Sequence, residues 1–156
     1  VLDGGAGNDV YIASDGDDTI ITGGGTDRLE IGAGYGLTGM ALDPSSGSLT
    51  LNLTDGSNEH SIIVDDHQTE PLTTVRIYSD VSTYEDYSLD VTYNATTNTY
   101  SASGDVLTLI AGTASSEIFE GTDADDRIFA ADGDDVLRGG AGDDVLVGGD
   151  GIDLAN

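Results

Sequence analysis

Residues 112–156 read in nines as GTASSEIFE (112–120), GTDADDRIF (121–129), AADGDDVLR (130–138), GGAGDDVLV (139–147) and GGDGIDLAN (148–156). The same frame occurs near the start as GGAGNDVYI (4–12), ASDGDDTII (13–21) and TGGGTDRLE (22–30). The shared unit is G-G-x-G-x-D-x-U-x, where U is a large apolar residue. Gly- and Asp-rich composition by itself is common in flexible linkers. A linker has no reason to hold an apolar residue two places after each Asp, so the phase argues for a folded repeat.

Each unit divides into a six-residue turn and a three-residue strand. Glycines at positions 1, 2 and 4 let the backbone fold back tightly with its carbonyls turned inward. The Asp at position 6 adds a carboxylate beside them. Carbonyl and carboxylate oxygens are hard ligands, suited to Ca²⁺, which takes about six to eight of them. One turn cannot supply that number, so a site needs two stacked turns. Position 8 (Tyr11, Ile20, Leu29, Ile128, Leu137, Leu146) faces inward to a thin apolar core. Two nonapeptides make one coil, so each site joins repeat n to repeat n+2.

On these residues the chain resembles the RTX (repeats-in-toxin, haemolysin-type calcium-binding nonapeptide) family, whose repeats form a parallel β-roll. The resemblance implies Ca²⁺ held between alternate turns by loop carbonyls and the position-6 Asp of each. The pairs it implies are Asp9 with Asp27, Asp126 with Asp144, and Asp135 with Asp153. The turn glycines it implies are Gly5, Gly7, Gly16, Gly23, Gly25, Gly133, Gly140, Gly142, Gly149 and Gly151. Asp18 holds the same position, but its upstream partner repeat survives only as Val1-Leu2-Asp3. Downstream, IGAGYG (31–36) has Gly36 where Asp belongs, and GTASSE (112–117) has Glu117. The expected load is roughly 3–5 calcium ions. The family resemblance also implies type I export of an unfolded chain and a secreted or bacterial cell-surface location.

Composition narrows the function further. The formal charge is −26, from 30 acidic residues against four basic ones. All four are arginines: Arg28, Arg76, Arg127 and Arg138. No basic patch can displace phosphate counterions, which excludes nucleic acid and disfavours an anionic bilayer. No apolar run is long enough for membrane insertion by this chain. Closing the turns crowds carboxylates, so the rolls are expected to be loose without a cation. At about ten times Kd, a bound ion adds roughly 1.4 kcal/mol per site. Four sites then contribute on the order of 5 kcal/mol, comparable to a small domain's net stability. There is no cysteine, hence no disulfide framework. The opening in mid-repeat predicts that these residues belong to a longer protein.

Between the repeats the periodicity changes from nine to two. SLTLNLT (48–54) puts Leu49, Leu51 and Leu53 on one face, and EHSIIVD (59–65) returns after an Asp55-Gly56 turn. TTVRIYS (73–79), EDYSLDVTY (85–93), TYSAS (99–103) and DVLTLI (105–110) read as further strands. The run over 23–67 also resembles the haemolysin-type calcium-binding-related segment found between RTX blocks. The expectation is an all-β chain in three parts: repeats at 1–30, an antiparallel sandwich-like middle at 31–111, and repeats at 112–156. The middle either separates and caps two short rolls, the favoured arrangement, or loops out from one continuous roll. His60 and His67, near Asp65 and Asp66, read as solvated. Asp43-Pro44 reads as an ordinary turn.

No nucleophile–base pair or phosphate loop suggests an enzyme. The leading expectation is a calcium-binding module of a secreted adhesin or exoprotein. Two alternatives stay open. The middle could bind a polysaccharide or cell-surface ligand through Tyr78, Tyr84, Tyr87, Tyr93 and Tyr100. The chain could instead be the accessory region of a secreted protease, lipase or alginate epimerase.

Overall fold

The computed structural model describes residues 1–13, 15–65, 67, 72–104 and 106–156. Asp66, in the histidine-rich stretch, and Asp105, in the expected strand at 105–110, lie outside the described residues. The fold is all-β, as the alternating pattern predicts, with no helix among the described residues. None is therefore long and apolar enough to cross a membrane. The chain separates into two compact units, Val1–Tyr87 and Ser88–Asn156.

In the first unit, β1 (Leu2–Asp3), β2 (Val10–Ile12), β3 (Asp18–Ile21) and β4 (Asp27–Ile31) are the strand parts of the repeats. They alternate between two sheets. Leu2 lies opposite Ile20, and Tyr11 opposite Leu29, both in parallel register at a spacing of two nonapeptides. The next coil comes from beyond the repeats. β5 (Gly36–Asp43) and β6 (Ser48–Thr54) form an antiparallel meander with β7 (Glu59–Asp65), and β7 then lies parallel to β3. On the other sheet β8 (Leu72–Tyr78) lies parallel to β4, with β9 (Tyr84–Ser88) outside it.

The second unit repeats this logic in reverse. The hairpin β10 (Thr92–Asn94) and β11 (Thr99–Ser101) comes first, and β11 runs parallel to β13 (Ile118–Glu120). β13, β15 (Val136–Arg138) and β17 (Leu154–Ala155) stack on one side. On the other side stack β12 (Leu109–Ala111), β14 (Arg127–Phe129) and β16 (Val145–Val147). Thus β11 and β12 supply a coil that lacks the glycine turns.

The 31–111 stretch is therefore not one sandwich. Its strands are shared out, completing the first roll as far as Tyr87 and starting the second from Ser88. The physical reason is edge satisfaction. A strand such as β3 or β13 exposes a row of unpaired N–H and C=O groups, and a further parallel strand covers it. The run expected over 85–93 is likewise interrupted. Residues 89–91 separate β9 from β10, with the unit boundary beside the break.

Position 8 faces inward as the period requires. Tyr11, Ile20, Leu29, Ile128 and Leu137 are buried, and Leu146 is half-buried near the roll end. In the second unit these residues pack with Tyr100, Ile110 and Phe119, and the Tyr100 and Phe119 rings stack at 5.4 Å. Phe129, at position 9, is buried as well, which the period did not anticipate. In the first unit, Arg76 forks onto Asp86 at 2.6 and 2.7 Å and lies 3.8 Å over the Tyr84 ring. One of the few cations thus ties β9 to β8.

Phe119 is fully buried, whereas Leu154 is 62% exposed at the last strand. Phe119→Ala should cost about 3–5 kcal/mol in urea unfolding with calcium present. Leu154→Ala should stay within about 0.5 kcal/mol. Equal effects would contradict this core.

Candidate metal-binding turns

The turns stack through their position-6 side chains. The Asp9 N–H donates to Asp27 Oδ1 at 2.8 Å, Asp126 N–H to Asp144 Oδ1 at 3.0 Å, and Asp135 N–H to Asp153 Oδ1 at 3.0 Å. Glu117 N–H donates to Asp135 Oδ1 at 2.7 Å, and Thr108 N–H to Asp126 Oδ1 at 2.8 Å. Each carboxylate thus satisfies a backbone donor 18 residues earlier through a charge-assisted bond. The three expected Asp pairs are brought together in this way.

A second ladder runs in the opposite sense at position 5. Asn8 Oδ1 accepts from Thr26 N–H, Asp125 Oδ1 from Asp143 N–H, and Asp134 Oδ1 from Ile152 N–H, at 2.8–2.9 Å. Asp17 Oδ1 takes the Ser61 N–H at 2.9 Å, so the coil without glycine turns is tied by the same device. Sequence reasoning missed position 5. The available signal was the recurrence of Asn, Asp or Ser there.

The second oxygen of the position-6 carboxylate behaves differently. Oδ2 of Asp9, Asp27 and Asp135 is buried and has no hydrogen-bond partner. Leaving a buried carboxylate oxygen bare is costly unless a cation answers it. At Asp135 burial, together with the charges of Glu117, Asp153 and Asp134, raises the carboxyl pKa, and the Glu117 N–H only partly offsets this.

The turn backbones also stack closely, carbonyl against glycine. A Cβ added at Gly25 would lie 1.8 Å from Gly7 O, and at Gly151 the same distance from Gly133 O. Gly140 and Gly149 meet Thr122 O and Ala131 O equally closely. All ten glycines expected in the turns have positive φ, from +75° at Gly5 to +146° at Gly151. Ala131 adopts φ +73° in a glycine position, an uncommon conformation for a residue with a Cβ. Buried bare carboxylate oxygens, in turns whose carbonyls stack on glycine, are hard donors of the kind Ca²⁺ takes, and on this observation the residues suit the ion. Among the described residues no three His, Cys, Asp or Glu side chains gather as a metal cluster.

Asp18 is not brought opposite a second acid, since β3 places it against Ile62. The neighbouring Gly16 N–H donates instead to His60 Nδ1 at 3.1 Å. His60 is half-buried rather than solvated, with Nε2 3.6 Å from Asp55 Oδ2. His67 also differs from expectation. It accepts the Leu72 N–H, and burial pushes its pKa down to about 4. Asp43 is occupied in its turn by Ser45 and Ser46, which hold its pKa down to about 2. Of the tyrosines, Tyr87 and Tyr100 are buried, and Tyr78 packs on Tyr84.

Stacked coils with oxygen-lined turns on both sides define a β-roll of the cation-binding class. The family model for the RTX calcium-binding nonapeptide repeat matches the chain in four copies, over residues 3–37 and 120–155. These stretches carry RTX calcium-binding nonapeptide repeats. No curated protein matches the chain.

The raised Asp135 pKa fixes the sign of a pH effect. Its folded form holds the proton more tightly than its unfolded form, so ionisation penalises folding as pH rises through the raised pKa. In EDTA, β-type ellipticity should therefore increase as pH falls from neutrality toward the carboxylate range. Asp135→Asn removes an unsatisfied charge worth about 1–3 kcal/mol and should show part of that gain already at neutral pH. Indistinguishable metal-free spectra for the variant and wild type at neutral pH would count against it.

Proposed function

We propose that the chain is a calcium-responsive folding module of a secreted bacterial adhesin or exoprotein, unstructured or loose where calcium is scarce and closed after export. The observation that carries this reading is the bare, buried Oδ2 of Asp9, Asp27 and Asp135. The proposed ligands are the turn carbonyls with Asp9 and Asp27, Asp135 and Asp153, and Asp126 and Asp144. The bound ion supplies positive charge between coils, and roughly 3–5 ions would fill the turns. The repeats at 1–30 and 112–156 carry these sites, while 31–111 supplies the coils that close the rolls.

The chain's own residues set how sharp the response is. At Asp27 and Asp135 one carboxylate oxygen is held by a backbone N–H 18 residues away and the other is left without a partner, so the side chain need not reorder on binding. At submicromolar calcium the ion contributes almost nothing. At millimolar external calcium each site adds roughly 1.4 kcal/mol for every tenfold excess over its Kd. Several sites in one cooperative unit then convert a modest change in calcium into folding.

Circular dichroism tests the proposal. EDTA should collapse the β-sheet signal, millimolar Ca²⁺ should restore it, and Mg²⁺, which demands a smaller octahedral site, should do so poorly. Asp153→Ala should reduce the calcium bound in calorimetric titration. Spectra that ignore chelation would refute the calcium module itself.

A further inference from the structure

The turns do not all treat their position-6 acid alike. In 121–126, Thr122 occupies position 2, and both its N–H and its hydroxyl donate to Asp126 Oδ2, at 2.6 and 2.9 Å. In 112–117 the arrangement recurs, with Thr113 N–H donating to Glu117 Oε2 at 2.9 Å and its hydroxyl to Glu117 Oε1. All four side chains are buried. In each case the threonine hydroxyl also accepts the N–H two residues on, from Ala124 and from Ser115.

The backbone differs as well. Position 2 is left-handed at Gly5, Gly23, Ala131, Gly140 and Gly149, with φ between +73° and +113°. Thr113 and Thr122 are not among the positive-φ residues. This different turn directs the position-2 N–H onto the carboxylate. Both threonine turns lie at the same place in the roll, one at the start of each row of turns. The coil before them has no position-6 acid to share a cation, since Asp126 stands against Thr108 and Glu117 follows the coil of Asn98.

We propose that Thr113 and Thr122 stand in for the cation at the first turn of each row. The second roll then starts from two metal-independent turns and takes Ca²⁺ first where position 2 carries no threonine. The proposal rests on the calcium reading above. Two donors on one carboxylate oxygen, with the other oxygen on a backbone N–H, leave Asp126 little lone-pair capacity for a metal. Calcium between Asp126 and Asp144 must share or displace the threonine, whereas Asp135 offers a bare Oδ2. Thr122 is thus a positioning residue that ranks the sites, making the Asp126–Asp144 gap weaker than the Asp135–Asp153 gap.

Carboxyl-carbon NMR of the whole chain, titrated with CaCl₂ from metal-free buffer, reads the sites separately. The Asp135 and Asp153 signals should shift at a calcium concentration about tenfold or more below that moving Asp126, since charge-assisted bonds must be given up there. Thr122→Gly, which restores the repeat's own glycine, should bring the Asp126 midpoint toward that of Asp135. Thr122→Ser keeps both donors and should leave the order unchanged, controlling for a general loss of fold. Asp126 moving together with Asp135 in the wild type, or an unaltered order in Thr122→Gly, would overturn the assignment. A titration in which no carboxylate responds would overturn the calcium reading and this inference with it. Loss of the ranking alone, with Asp135 still responding, would remove only the threonine role.

Discussion

The two oxygens of one carboxylate do different work, and the fold depends on that division. Oδ1 of a position-6 Asp satisfies the backbone of the coil before it, which fixes the register at 18 residues. At Asp27 and Asp135 the other oxygen, Oδ2, is buried with no partner, which destabilises the folded chain until something positive answers it. Stacking and sensing are thus imposed by the same side chain. Replacing the Asp by an apolar residue would lose the register bond and leave a buried N–H unanswered.

The glycines follow from this geometry. A carbonyl can point into the gap only where the facing residue has no Cβ, and the 1.8 Å approaches at Gly25, Gly140, Gly149 and Gly151 leave no room for one. Position 5 then closes the turn from the other direction, so consecutive coils are bonded reciprocally by adjacent side chains. That arrangement carries many acids, and few cations are available to balance them. Arg76, shared between Glu30 and Asp86, is spent outside the turns on holding β8 and β9 together. On the calcium reading, cations from solution supply the remaining positive charge.

Much of this was legible in the amino-acid order. The nine-residue phase gave the turn–strand division, the inward position 8 and the pairing of alternate repeats, because each is a local consequence of glycine, Asp and one apolar residue. The closing coils were not legible. In the first unit, β7 and β8 take the next parallel places although 36–54 intervenes, and Glu59–Asp65 alternates as any hairpin strand does. Nothing in a period of two tells a hairpin partner from a roll partner. In the second unit a trace existed. Counting back in nines from Gly112 gives SGDVLTLIA (103–111), with Ile110 at position 8, and Ile110 lies opposite Ile128. With Thr108 in place of the acid, that repeat lost the feature that made the others visible.

Degenerate turns therefore deserve a physical explanation and not dismissal as decay. Where a coil lacks the acid, the neighbouring row must either leave a carboxylate bare or answer it from within the protein. Asp27 and Asp126 both face such a coil, and their environments differ. The Asp27 carbonyl takes the Thr73 hydroxyl at 2.8 Å while its Oδ2 remains without a partner. Asp126 has its Oδ2 closed by Thr122. On the calcium reading proposed above, a bare buried oxygen makes its turn depend on a cation, and a closed one lessens that dependence. The residue at position 2, free to vary wherever left-handed backbone is not required, thus sets whether a given turn waits for calcium.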